Sequence, residues 1–139
     1  NWSQPLFVDK SIGLTGFLMN EKFELLFQVK AEAGAFHKIL LYPTISVSKF
    51  NLDNQKVNFR EYFINPDVNN ILINSIQSEE GGRFYKILNK NMLIKTKNIL
   101  KIPKNFIWLN FFQIYKMMEL GYISIESRSI LGLIDFNEL

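Results

Sequence analysis

The clearest periodicity in the chain lies between residues 24 and 32. There Leu25, Phe27, Val29 and Ala31 alternate with Leu26, Gln28, Lys30 and Glu32, the period of a strand with one apolar and one partly polar face. A shorter apolar run at 17–19 reads as its hairpin partner across a turn at Asn20-Glu21. Ala33-Gly34 turns the chain into a strand over 38–42, which Pro43 ends, and 45–48 continues it past the kink. Residues 58–63 suggest a short helix stopped before Pro66. Over 67–80, apolar residues at 68, 71, 72, 73 and 76 suggest a longer helix with Gly81 just past its end. Strands are expected at 83–88 and 92–96, around an Asn89-Lys90-Asn91 turn. Asn110 reads as the cap of a helix over 111–120 closed by Gly121, and Ser124 as the cap of a last helix reaching about residue 134. The pattern predicts one α/β domain over 1–139, an α+β mixed sheet with helices packed on it as a sandwich.

Composition changes this picture little. At 139 residues and 47% apolar, with thirteen Phe and five Tyr, the chain has material for one ring-rich core. Sixteen Lys and Arg against thirteen Asp and Glu leave a net charge of +3, spread evenly. That balance suits a small anionic ligand better than nucleic acid. The absence of cysteine excludes disulfide and thiolate chemistry and fits a reducing, cytoplasmic setting. No apolar run is long enough for a helical membrane span. The chain opens on Asn1, as expected of a processed chain or a piece of a longer one.

Candidate chemistry concentrates in two places. Gln28, Lys30 and Glu32 project from one strand face at spacings of roughly 7 Å, a row able to hold a sugar or phosphate or to set an acid beside a base. It reads equally as a solvated face. The second place is the stretch 77–92, with Glu79-Glu80, a Gly-Gly break, Arg83, Tyr85 and two asparagines. Two carboxylates at the C-terminal end of the expected helix would meet an unfavourable dipole and each other, which favours proton uptake. Arg83 has the fork suited to phosphate. The single histidine, His37, has no metal-ligand partners in the sequence pattern, so no metal site is expected.

In series, these residues resemble the NDP-hexose 2,3-dehydratases. Trp2-Ser3-Gln4-Pro5 is similar to the family's Trp-x-Gln-Pro, and Gly13-x-x-Gly16-Phe17-Leu18 follows it. Gln28-x-Lys30-x-Glu32-x-Gly34, Pro43-Thr44, Gln77-Ser-Glu-Glu-Gly-Gly-Arg-Phe84, Asn89-x-Asn91, Trp108-Leu109 and Arg128-Ser-x-Leu131 continue in order. Ala33 stands where the family has Pro, and Lys90 where it has Arg. The resemblance implies a Nudix-like α/β sandwich, one copy of a fold that the family carries twice and resembling the second copy.

It further implies cofactor-free, metal-free removal of water from a dTDP-linked 4-keto-6-deoxyhexose. Glu79 is then the expected base, and Lys30 or Tyr85 the enolate stabiliser or proton donor. Gln28, Glu32, Gln77 and Asn91 are expected to contact substrate. Thr44, Arg83 and Arg128 are expected to hold the diphosphate, with Trp2 stacking on the base. The expected partners are a nucleoside diphosphate sugar and a second copy of the chain in a homodimer. A non-catalytic sugar-nucleotide binding module and a purely dimerising half of a longer dehydratase are the alternatives.

Overall fold

In a computed structural model the protein is described over residues 12–31, 38–47, 56–80, 86–97, 99 and 101–135, with the backbone alone at 12, 77–80, 86 and 87. Its frame is a mixed sheet of seven strands: β1 (Ile12–Met19), β2 (Leu25–Ala31), β3 (Ile39–Tyr42), β4 (Ile45–Val47), β5 (Ile71–Glu80), β6 (Lys86–Lys95) and β7 (Phe106–Leu109). Strand order runs β3-β2-β1-β6-β5, with β4 on β1 and β7 on β2. Three short helices complete the described fold: α1 (Arg60–Ile64), α2 (Phe111–Glu119) and α3 (Ile125–Leu131).

β1 is the central strand. It runs parallel to β6 from Ile12↔Leu88 to Met19↔Lys95 and antiparallel to β4 over Leu14–Gly16. Both sheet faces are covered around it, so residues 14–20 are all buried, and apart from Thr15 the strand from Leu14 to Met19 carries no polar side chain. On one face Phe17, Met19, Phe27 and Leu93 pack with Ile114 of α2 and Ile130 of α3. On the other, Leu18, Leu26, Met92 and Phe106 pack with Phe63 of α1 and Ile45. Gly16 of the sequence motif belongs to this second layer. A Cβ there would fall against the Phe63 ring, 2.8 Å from Cδ1, so the glycine lets α1 close onto the sheet.

β1 and β2 meet only at their hairpin, Met19↔Leu25. Asn20 holds that turn: its Oδ1 accepts from the N–H groups of Lys22 and Glu24, at 3.0 and 2.9 Å. Beyond it the strands diverge, β1 towards β4 and β2 towards β3 and β7. Thr44, on the crossing between β3 and β4, fills the fork. Its hydroxyl accepts from Leu18 N–H (3.0 Å) and donates to Leu26 C=O (2.6 Å), and it is 2% exposed.

Three expectations are corrected. Residues 67–80 are not a helix: a 3₁₀ turn at Val68–Asn70 leads into β5. The isoleucines at 71, 73 and 76 are β-branched and pair in the ladder with β6, which outweighs a helical spacing over so short a run. Asn89-Lys90-Asn91 is not a turn but the middle of β6, held by β1 and β5 on both sides. The segment at 45–48 does not prolong the preceding strand beside β2; as β4 it crosses to β1. One strand, β7, was not expected from sequence. It carries Trp108 and Phe106 against β2, where both pack into the second layer.

The C-terminal helices follow their caps. Asn110 Oδ1 accepts from Gln113 N–H at 2.8 Å while Gln113 Oε1 accepts from Asn110 N–H at 2.9 Å, a reciprocal capping box, and Gly121 leaves the helix end at φ 79°. Asn110→Ala is expected to lower stability by about 0.5–2 kcal/mol, measured as a fall in denaturant midpoint. An unchanged midpoint would mean that α2 is held by packing alone.

Candidate functional site

The motif residues fall on the sheet in rows. Thr15 stands opposite Asn91, and Asn91 opposite Ser75; one row along, Gly13, Asn89 and strand position 77 are aligned. Asn89 Nδ2 donates to Asn91 Oδ1 at 2.8 Å and to Thr15 Oγ1 at 3.0 Å, and Asn91 is 1% exposed. A buried amide such as that of Asn91 survives in a sheet only when hydrogen-bonded, and the half-buried Asn89 supplies that bond. The network continues the first core face beyond Phe17 and Leu93, so the sheet changes there from apolar to polar.

Strand β5 adds the motif carboxylates to this corner. Its register sets Gln77 opposite Asn89, Glu79 opposite Ile87 and Glu80 opposite Lys86. Positions 77 and 79 share the alternation of Ser75, whereas 80 falls on the other alternation. The dipole argument for Glu79 and Glu80 no longer applies, because the segment is a strand with negligible axial dipole.

Gln28 and Lys30 are not brought to this corner. On β2 they alternate with Phe27 and Val29 of the first core layer, and so share the side of Leu26 in the second. Lys30 is exposed, its Nζ 4.9 Å from the Tyr42 ring centroid in a cation–π contact. Thr44 lies in the β1–β2 fork with its proton committed to Leu26. Arg128 is exposed on α3. Trp2, Glu32, Arg83 and Tyr85 lie outside the described residues. Sequence reasoning missed Thr15 as a partner of the asparagines. An Asn-x-Asn pair in an alternating strand was the available signal, hidden by the turn assignment.

Two concavities lie elsewhere. A groove of about 830 Å³ with mixed polar and apolar lining runs between α1, the 3₁₀ turn and the far end of β6, lined by Glu61, Tyr62, Asp67, Lys95 and Lys97 among others. None of the motif residues lines it, and these carboxylates and ammonium groups are exposed to water, which weakens any fixed field. An apolar hollow of about 340 Å³ lies between Ile39, Ile107, Met117 and Tyr122. The Asn89–Asn91 corner is preferred as the candidate site despite its lack of a described cavity. It joins a buried polar network to the register positions of Gln77 and Glu79. Among the described residues no cluster of three or more His, Cys, Asp or Glu is placed to hold a metal. No described helix is long and apolar enough to cross a membrane.

Comparison with known proteins follows this geometry. The family model described as NDP-hexose 2,3-dehydratase matches residues 1–134. A dTDP-4-dehydro-6-deoxy-α-D-glucopyranose 2,3-dehydratase of Amycolatopsis orientalis is 29% identical over 99% of this chain and 31% of its own length. The enzyme of the same description from Streptomyces violaceoruber is 26% identical over 96% of this chain and 32% of its own length. The chain thus spans about a third of the length of these curated relatives. Among solved structures, a chain in the complex between the C-terminal domain of mouse MUTYH and human PCNA aligns with TM-score 0.51. That alignment covers 86% of this chain and 83% of the other at 7% identity, a likeness of fold alone.

Proposed function

Because the chain belongs to the NDP-hexose 2,3-dehydratase family, we propose that it acts in the 2,3-dehydration of a dTDP-linked 4-keto-6-deoxyhexose, as one Nudix-like unit of a paired assembly. The supporting observation is the register of β5, which sets Gln77 beside Asn89 of the Asn89–Asn91–Thr15 network and Glu79 one row further on the same alternation. Position 79 lies on the same alternation as position 77, one row beyond Asn89, whose amide is locked by hydrogen bonds. That arrangement offers fixed dipoles to a sugar.

The chemistry needs a base, an acid and a clamp. The C4 ketone acidifies the C3 proton, which the Glu79 carboxylate removes, giving an enolate. The C2 hydroxyl then leaves as water, taking a proton from a donor, and the resulting enol tautomerises to a 3,4-diketone. Tyr85, next to the start of β6, is the donor favoured over Lys30, since Lys30 lies on the other sheet face. Arg83 and Arg128 are the proposed diphosphate contacts, and the half-buried amide of Asn89 orients the sugar; Asn91, expected from the sequence to touch substrate, is buried and instead fixes Asn89 from beneath. No step calls for a metal or redox cofactor.

The relatives' greater length supports a second reading, in which this domain binds the sugar nucleotide and the rest of a longer assembly carries out turnover. Calorimetry with dTDP tests the binding common to both. Binding that weakens as salt rises and falls on Arg83→Ala is expected. Failure of dTDP and other nucleoside diphosphates to bind at millimolar concentration would remove both readings. Binding without exchange of the C3 proton would leave only the second.

A further inference from the structure

Asn89 is half-buried at the polar end of the first sheet face, and both hydrogens of its amide nitrogen are already committed. Nδ2 donates to Asn91 Oδ1 at 2.8 Å and to Thr15 Oγ1 at 3.0 Å, and a primary amide has only two N–H bonds to give. Turned over, the amide would set its oxygen 2.8 Å from Asn91 Oδ1, acceptor against acceptor. Thr15 and Asn91 are 4% and 1% exposed, so both partners are enclosed in the sheet. What Asn89 keeps is Oδ1, an acceptor to which nothing donates among the described residues. Its neighbour on β1 is Gly13, so no side chain rises beside it on that flank.

We propose that Thr15 and Asn91 are positioning residues that make Asn89 an acceptor-only contact, and that this contact selects a sugar hydroxyl beside the reacting carbon. An amide oxygen attracts O–H and N–H groups and repels other lone pairs. Ketone, enolate and diphosphate oxygens have no proton to give, so each is excluded from Asn89 Oδ1. In a dTDP-linked 4-keto-6-deoxyhexose the sugar hydroxyls left to donate are those on C2 and C3. The inference rests on the sugar-nucleotide reading above, which sets Glu79, the proposed base, roughly 7 Å along the same alternation. That spacing brings C2 and C3 of one ring to Asn89 and leaves the thymine, whose N3–H is also a donor, elsewhere. The polarity also bears on the chemistry: the enolate has to find its stabilising donor in a group other than Asn89.

Fluorine is close to a hydroxyl in size but cannot donate. dTDP-glucose lacks the ketone that acidifies C3, so it serves as an unreactive probe, compared by calorimetry with its 2-, 3- and 4-deoxyfluoro counterparts. At C2 or at C3 the fluoro analogue is expected to bind wild type about tenfold more weakly, through loss of one hydrogen bond with its acceptor left unpaired. Thr15→Val frees one Asn89 N–H and lets the amide turn, so the preference for hydroxyl over fluorine should fall towards one. Thr15→Ser keeps Oγ1 and should keep the preference. A ratio of affinities is unmoved by the folded fraction, so a merely structural Thr15 would leave it unchanged in both variants. The wild-type series decides by itself where Thr15→Val does not fold. Equal binding of dTDP-glucose and all three fluoro analogues overturns the proposal and leaves the sugar-nucleotide reading standing. So does a penalty confined to the 4-fluoro analogue, since the ketone there has no proton to donate, or a wild-type ratio in Thr15→Val. Failure of both dTDP and dTDP-glucose to bind removes the underlying reading and this proposal with it.

Discussion

Glu79→Gln is expected to slow exchange of the C3 proton of dTDP-4-keto-6-deoxyglucose by about 10²–10⁴-fold, the usual contribution of a positioned general base. Glutamine keeps the shape and hydrogen-bonding reach of the carboxylate, so dTDP binding should persist while exchange and turnover collapse. Deuterium incorporation at C3, followed by NMR in heavy water, separates proton removal from loss of water. The strand geometry of β5 supplies a control that a helix would not. Glu79 shares the alternation of Gln77, which is aligned with Asn89, and Glu80 does not. Glu80→Gln should therefore exchange close to the wild-type rate. Equal rates for wild type and Glu79→Gln would remove Glu79 as the base. A large effect at Glu80 alone would place the reaction on the opposite face of the sheet, nearer Gln28 and Lys30. A wild-type protein that binds dTDP without exchanging the proton would leave the binding-module reading.

Thr44→Val is the second substitution with a large expected effect, and it acts on stability. Valine matches threonine in shape but removes the hydroxyl that joins Leu18 N–H to Leu26 C=O across the β1–β2 fork. Both backbone groups sit among fully buried residues with no route to water, so each orphaned group should cost about 1–3 kcal/mol. Thr44→Ser keeps both hydrogen bonds and loses only a buried methyl, at about 1 kcal/mol. Urea denaturation should show a lower midpoint for Thr44→Val with an unchanged slope. The same pair of variants separates the two roles considered for Thr44. A fork residue loses stability in the valine variant and keeps dTDP affinity per folded molecule. A diphosphate ligand does the reverse, and that outcome would return Thr44 to the binding site.

The resemblance motifs gain distinct physical reasons once placed on the fold. Gly16 is small because Phe63 occupies the space a side chain would fill. Thr44 is polar because two diverging strands leave a donor and an acceptor to satisfy. Asn89 and Asn91 face a polar corner rather than a turn. A residue run shared with a family therefore mixes structural and chemical positions, and order along the chain cannot separate them.

Local signals in the chain determined what local physics controls. Alternation over 25–31 marked β2, and the Asn20 turn, the Asn110 and Ser124 caps and Gly121 marked the hairpin, both ends of α2 and the start of α3, which ends at Leu131 rather than near residue 134. Those features depend on side chains bonding to backbone a few residues away, so their information is contiguous. Tertiary structure alone decided the rest. Residues 67–80 carried apolar residues compatible with a helix, and only pairing with β6, itself held by β1, made them a strand. Asn89 and Asn91 read as turn formers until partners on both sides drew them into the sheet's interior. Sheet pairing is non-local: its register sets Thr15 beside Asn91 and Gln28 beside Phe106, across more than half of the chain. For the same reason the sequence could set Lys30 and Glu79 in one list of candidates, and only the alternation of strands within the assembled sheet could assign them to opposite faces.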